Sequence, residues 1–175
     1  ALFGNWDGET LTTWTESGSG ESSGVIYRPV TSVTAGKNYV ILNASYSYAA
    51  LYTNSHASSQ KVYQDSEKFT IQQDTTGYYI VVDETEDANY VWYYNTSGTS
   101  GYMYHLPNGG SGTQLGLYYM SSIVQLNNSP DSFTKTTTSQ SNTYGTGYKL
   151  QLYTSSAYMT YSTTNSYLMI SSNGD

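Results

Sequence analysis

Short runs rich in Tyr, Val and Ile recur along the whole chain, and clusters of Gly, Asn, Asp and Ser separate them. β-Branched and aromatic residues favour strands, and the intervening residues are those that form turns. No window shows the sustained 3.6-residue apolar period of an amphipathic helix. The sequence therefore predicts an all-β protein. The predicted strands are residues 25–27, 39–42, 50–53, 61–63, 68–73, 78–82, 90–94, 102–105, 115–119, 123–126, 148–153, 158–161 and 167–170.

Several of these runs alternate between apolar and polar residues, which is typical of an antiparallel sheet with one buried face. Regularly spaced short strands in a chain of this length favour an antiparallel β-sandwich. The residue pattern of segment 69–94 resembles that of segment 148–170, which suggests an internal duplication. A repeat of about 80 residues would suit a duplicated sandwich, whereas one of about 40 would suit a β-trefoil, which is the alternative prediction.

The first 24 residues differ from the rest of the chain. They contain Phe3, Trp6 and Trp14, and they end in a run of Gly, Ser and Glu that is typical of a flexible linker. We predict an N-terminal arm with a Gly/Ser linker over residues 1–24 and a single all-β domain over residues 25–175. The arm could pack on the domain, join a neighbouring subunit or form a mobile leader.

The charge of the chain excludes several classes of function. Lys and Arg total 6 against 13 Asp and Glu, so the net charge is −7 and no basic patch can neutralise nucleic-acid phosphates. No apolar stretch is long enough to span a membrane, and the absence of Cys excludes disulfide and thiolate–metal scaffolds. A surface of hydroxyls and amides, with few charged side chains, predicts an extracellular or cell-surface protein.

The sequence contains little that points to catalysis or to a cofactor. His56 and His105 are the only histidines, and their spacing does not fit a zinc motif. No strand-to-helix pattern is present that could hold a nucleophile elbow. The densest acidic run contains Asp83, Glu86 and Asp87, whose oxygens are weak candidates for binding calcium. That run lacks the glycine and the spaced carboxylates of a calcium loop, so a solvated loop is favoured. We therefore predict no enzymatic activity, no cofactor and no metal site.

The aromatic residues carry the strongest functional signal, because 21 Tyr stand against only 3 Phe. Tyrosine suits a ring that is half in water, since its face packs while its hydroxyl stays hydrogen-bonded. In the predicted strand at residues 90–94, alternation puts Tyr90, Trp92 and Tyr94 on one side and Tyr93 on the other. The predicted sugar-stacking rings, with their polar partners, are Trp92, Tyr94, Tyr102, Tyr104, Asn89 and Asn95. Trp6 and Trp14 would join them if the arm packs on the domain. The alternative is that these rings only cover the edges of the core.

Residues 33–42, VTAGKNYVIL, followed by AALY at 49–52, give a turn and two strands. This segment resembles the opening of β-rich glycan-binding or adhesive modules in secreted and surface proteins of Gram-positive gut bacteria. The resemblance implies an extracellular, non-catalytic role.

We therefore expect a non-catalytic carbohydrate-binding module of an extracellular or cell-surface protein, with a polysaccharide or glycan as its partner. The alternative is a structural subunit of an extracellular filament or adhesin, which would self-associate by strand addition of the N-terminal arm.

Overall fold

A computed structural model describes residues 2–9, 14–16, 20–22, 25–30, 32–74, 77–82, 88–106, 113–142, 145–152 and 158–172. In these ranges the regular structure consists of β-strands and two single-turn 3-10 helices, Ala44–Tyr46 and Ala88–Tyr90. The prediction of an all-β protein is confirmed. Within the same ranges no helix is long and apolar enough to cross a membrane.

The strands are short, and most are separated by turns. The first half of the chain forms β1 (Leu2–Glu9), β2 (Trp14–Glu16), β3 (Gly20–Ser22), β4 (Val25–Val30), β5 (Lys37–Asn43), β6 (Ala49–Tyr52), β7 (Tyr63–Asp65), β8 (Thr70–Asp74) and β9 (Gly77–Val82). The second half forms β10 (Trp92–Ser97), β11 (Ser100–His105), β12 (Gly116–Met120), β13 (Ile123–Asn127), β14 (Phe133–Asn142), β15 (Gly145–Leu152), β16 (Tyr158–Ser162) and β17 (Tyr167–Ser171).

Backbone hydrogen bonds connect most strands into one 15-stranded sheet. Its order is β7-β6-β5-β10-β11-β12-β13-β17-β16-β15-β1-β4-β9-β8, with β14 paired to β15 and a further pairing between β5 and β1. The strand pairs are antiparallel, as predicted. Strands β2 and β3 form a separate two-stranded sheet.

Strand β1 lies within the predicted arm, yet it is hydrogen-bonded to the domain. Asn5 pairs with Val30 of β4, Asp7 pairs with Tyr39 of β5, and β1 also pairs with β15. Of the three placements considered for the arm, packing on the domain is the one observed for this strand. The domain boundary at residue 24 stays a prediction.

Among the described residues, two hydrophobic clusters form the core, and β5 contributes to both. Ile41 belongs to the larger cluster, whereas Val40 and Leu42 belong to the smaller one. Since neighbouring strand residues point to opposite faces, β5 is buried on both sides. Strand β11 contacts β14, and β12 contacts β15, although neither pair is hydrogen-bonded, so the sheet curls around the larger cluster. Strands that face each other across a core are what a sandwich requires. The trefoil alternative and the internal duplication stay predictions.

Candidate functional site

One face of the β10–β11 hairpin collects tyrosine and asparagine side chains. Tyr93 is paired with Tyr104, and Asn95 with Tyr102, across the two strands. Directly opposed residues of an antiparallel pair point to the same side of the sheet. On the other edge of β10, Asn38 of β5 is opposite Tyr93. We call this set, Asn38, Tyr93, Asn95, Tyr102 and Tyr104, the tyrosine face.

The rings of the tyrosine face are half-buried rather than enclosed. Along β11 the half-buried Tyr102 and Tyr104 alternate with the buried Met103 and His105. The rings of Tyr102 and Tyr104 are neighbours, with centroids 6.2 Å apart and planes inclined by 41°. Each therefore keeps part of its surface in water while its base is held by the sheet.

The hydroxyl groups of this face are not held by hydrogen bonds to the described part of the fold. Within the described part of the chain, the hydroxyls of Tyr93, Tyr102 and Tyr104 have no hydrogen-bond partner. Partial burial is the main cause that raises the pKa of Tyr104 above 10.0, and the neighbouring Tyr102 hydroxyl raises it further. Tyr104 therefore stays neutral at neutral pH, and its hydroxyl can both donate and accept a hydrogen bond.

Trp92 was predicted to stack on a sugar, and that prediction is wrong. Its side chain has 0% exposure, and its Nε1 donates a hydrogen bond to the carbonyl oxygen of Leu51 at 3.1 Å. The indole lies beside His105, with ring centroids 5.0 Å apart. The physical reason is that the side of β10 that carries Trp92 faces the larger core cluster. A ligand therefore cannot stack on this indole in the folded protein.

Tyr94 lies on the same inner side of β10, and it does not join the tyrosine face. It packs against the larger cluster, with its ring 6.3 Å from that of Phe133 in an edge-on arrangement. The ring also covers Gly101, where a Cβ atom would collide with it. Burial, with a smaller effect of Tyr39, raises the pKa of Tyr94 above 10.0. The predicted stacking role of Tyr94 is therefore replaced by a packing role at the edge of the core.

Asn89 is not brought to the tyrosine face either. It lies in the 3-10 helix Ala88–Tyr90, and its backbone carbonyl oxygen is 3.1 Å from Nε2 of His105. His105 points to the opposite side of β11 from Tyr102 and Tyr104. Of the predicted site residues, the structure thus brings together Asn95, Tyr102 and Tyr104, and it adds Asn38 and Tyr93.

The weak calcium candidates Asp83, Glu86 and Asp87 lie outside the described residues. Within the described ranges, no group of three or more His, Asp or Glu side chains is arranged to hold a metal ion.

His56 and His105 are far apart in the sequence, but their side chains contact each other in the fold. Nδ1 of His56 is 3.0 Å from Nδ1 of His105, and the ring planes differ by only 13°. The ring centroids are 5.2 Å apart. The Nε2 atom of His105 is 3.1 Å from the backbone carbonyl oxygen of Asn89. The Nε2 atom of His56 is 2.8 Å from the backbone carbonyl oxygen of Thr113.

Burial lowers the pKa of His105 to about 4, so this ring is neutral at neutral pH. A neutral His105 that donates from Nε2 to the Asn89 carbonyl must accept at Nδ1, so His56 donates from its own Nδ1. His56 also donates from Nε2 to the Thr113 carbonyl only when its ring carries both protons. This arrangement ties the segment around His56 to β11.

No known family model matches the chain, and comparisons with curated proteins and with solved structures give no match.

Proposed function

We propose that this protein is a non-catalytic carbohydrate-binding module of an extracellular or cell-surface protein, and that sugar rings stack on the tyrosine face. The observation that carries the proposal is the convergence of three half-buried tyrosines and two asparagines on one side of β5, β10 and β11. The hydroxyls of these tyrosines have no hydrogen-bond partner among the residues that the structure describes.

The chemistry of the tyrosine face matches that of a saccharide. A sugar ring presents apolar C–H groups on its faces and hydroxyls around its rim. Half-exposed phenol rings can cover the apolar faces, while their own hydroxyls and the amides of Asn38 and Asn95 bind the rim. Tyrosine rings held by a sheet lose little conformational entropy when a ligand binds.

The net charge of the chain indicates whether the bound glycan is neutral or charged. The chain carries a net charge of −7, and the tyrosine face contributes no cationic side chain. An anionic polysaccharide would be repelled, because like charges oppose association. A neutral polysaccharide is therefore the proposed partner.

The test is retention of the purified protein on insoluble neutral polysaccharides, together with a glycan array. The double variant Tyr102→Ala/Tyr104→Ala should bind at least about tenfold more weakly, because two stacked rings together supply more than about 1.4 kcal/mol. Tyr158→Ala is a matched control, since Tyr158 is also half-buried in a strand but lies on β16. A folded double variant that binds as well as the wild type would contradict the proposal, as would a wild type that no neutral glycan retains.

A filament or adhesin subunit that donates its arm to a neighbour is less well supported. Strand addition needs an unpaired strand, whereas β1 is already paired with β4, β5 and β15 of its own chain. Sedimentation velocity after prolonged concentration separates the two ideas. A protein that stays monomeric agrees with a binding module, and growing polymers would favour the subunit.

A further inference from the structure

The tyrosine face continues beyond β11 as a row of positions across five strands. Tyr93 of β10 is opposite Asn38 of β5 on one edge and opposite Tyr104 of β11 on the other. Tyr104 is in turn opposite Gly116 of β12, and Gly116 is opposite Asn127 of β13. Directly opposed residues of antiparallel strands point to the same side of the sheet, so all five positions share the side of the tyrosine face.

A proline ring takes the place of the side chain that Gly116 lacks. A Cβ atom at Gly116 would lie 2.8 Å from Cβ and 3.1 Å from Cγ of Pro130, so the proline ring covers the glycine on this side. Pro130 is half-buried, as are Tyr93 and Tyr104. Three half-buried rings therefore follow one another across the strands. We define the cross-strand row as Asn38, Tyr93, Tyr104, Pro130 and Asn127.

The two ends of the cross-strand row carry amides. Oδ1 of Asn127 accepts from the backbone N–H of Ser129 at 2.8 Å, which leaves Nδ2 as a donor without a partner among the described residues. The side-chain amide of Asn38 has no hydrogen-bond partner in the same part of the chain. Both asparagines are half-buried, and no member of the row is charged. The row thus combines apolar rings in its middle with neutral polar groups at its ends.

The face is longer across the strands than along them. Neighbouring strands lie about 4.8 Å apart, so the steps from Asn38 to Asn127 span about 19 Å. Along β11 the face is limited to Tyr102, next to the hairpin turn, and Tyr104, because Leu106 packs against the smaller core cluster. A ligand that contacts the whole row must be extended. One strand spacing is about the length of a sugar unit in a linear chain.

We propose that the cross-strand row binds a single linear chain of a neutral polysaccharide, which runs across the strands with about four sugar units in contact. Sugar units stack on Tyr93, Tyr104 and Pro130, while the amides of Asn38 and Asn127 bind hydroxyls of the units at the two ends. This inference rests on the proposed function, to which it adds two binding residues and the direction of the bound chain.

The experiment is isothermal titration calorimetry with unbranched neutral oligomers of two to six units, namely β-1,4-linked glucose, mannose and xylose and α-1,4-linked glucose. In at least one series the affinity should rise at least about tenfold between two and four units and change little beyond four, when the row is filled. Asn38→Ala and Asn127→Ala should each weaken binding of the six-unit chain by about fivefold, which corresponds to one hydrogen bond. Asn89→Ala is the matched control, since Asn89 is also half-buried but lies off the tyrosine face, and it should bind like the wild type.

The outcomes separate this inference from the proposed function. If polysaccharide retention depends on Tyr102 and Tyr104 but the affinity does not rise beyond two units, the cross-strand direction is overturned and the proposed function stands. The same holds if Asn127→Ala binds the six-unit chain as tightly as the wild type. Asn127→Asp repeats this test should the alanine variant unfold, because it keeps the acceptor for Ser129 and removes the donor, and binding equal to the wild type would again count against the row. A protein that binds neither the oligomers nor any neutral polysaccharide overturns both ideas.

Discussion

Acid should destabilise this protein through His105, which is buried beside Trp92 in the interior. Burial is the largest cause that lowers its pKa from 6.5 to about 4; the hydrogen bond to the Asn89 carbonyl opposes this effect, and His56 adds to it. In the unfolded chain the same ring takes up a proton near pH 6.5. Between these two values the unfolded state binds more protons than the folded state, so the free energy of unfolding falls as the pH falls.

The size of the effect follows from the difference between the two pKa values. A difference of one pKa unit corresponds to 1.36 kcal/mol, so a fall from 6.5 to about 4 corresponds to about 3 kcal/mol. This contribution is complete above pH 6.5 and is lost progressively as the pH falls to 4. Since domains are typically stable by about 5–15 kcal/mol, the loss is a large share of the total.

Urea unfolding at pH 7.5, 5.5 and 4.0 measures this contribution when the wild type is compared with His105→Gln. The variant has its own baseline stability, so the informative quantity is the change with pH. The wild type should lose about 3 kcal/mol more than the variant between pH 7.5 and 4.0. His56→Gln is the control, and it should keep most of the acid sensitivity because burial of His105 is the main cause. Equal losses in the wild type and His105→Gln would refute the reasoning.

Two further substitutions test how the inner side of the hairpin is packed. Trp92→Phe should destabilise the protein by about 1–3 kcal/mol, because it leaves the buried carbonyl of Leu51 without its donor, while glycan binding by the folded variant should not change. An unchanged urea midpoint would contradict the buried placement of the indole. Gly101→Ala should cost about 1–3 kcal/mol, since the added Cβ collides with the Tyr94 ring. A variant as stable as the wild type would show that this ring does not lie over the glycine.

The sequence predicts strands well where apolar residues are dense, and less well where pairing alone creates the strand. The predicted strand at 39–42 lies inside β5, and that at 123–126 lies inside β13. Strand β14, Phe133–Asn142, was not predicted, because its run of Thr and Ser gives no apolar alternation. It forms a strand because β15 offers it a partner over most of its length. Such tertiary pairing has no local signature in the sequence.

The tyrosine face shows a different limit of prediction. Alternation along β10 correctly separates Trp92 and Tyr94 from Tyr93, but it does not say which side faces water. The prediction that Trp92 and Tyr94 stack on a sugar required their side of β10 to be exposed, whereas that side faces the larger core cluster. The decision depends on the neighbouring strands, because the buried Tyr39 of β5 and His105 of β11 flank Trp92 on that same side. Only the assembled sheet contains this information.

The tyrosines of the core and those of the tyrosine face differ in whether their hydroxyls are hydrogen-bonded to described residues of the protein. Tyr39 is fully buried, and its hydroxyl accepts a hydrogen bond from the backbone N–H of Thr34 at 2.6 Å. Tyr90 is buried as well, and its hydroxyl donates to Asp65 at 3.0 Å. A phenol that only fills the interior must find such a partner, because an unpaired buried hydroxyl is costly. The half-buried Tyr93, Tyr102 and Tyr104 differ, because their hydroxyls have no hydrogen-bond partner in the described part of the chain. A ligand with an apolar face and a polar rim would use both parts of each ring.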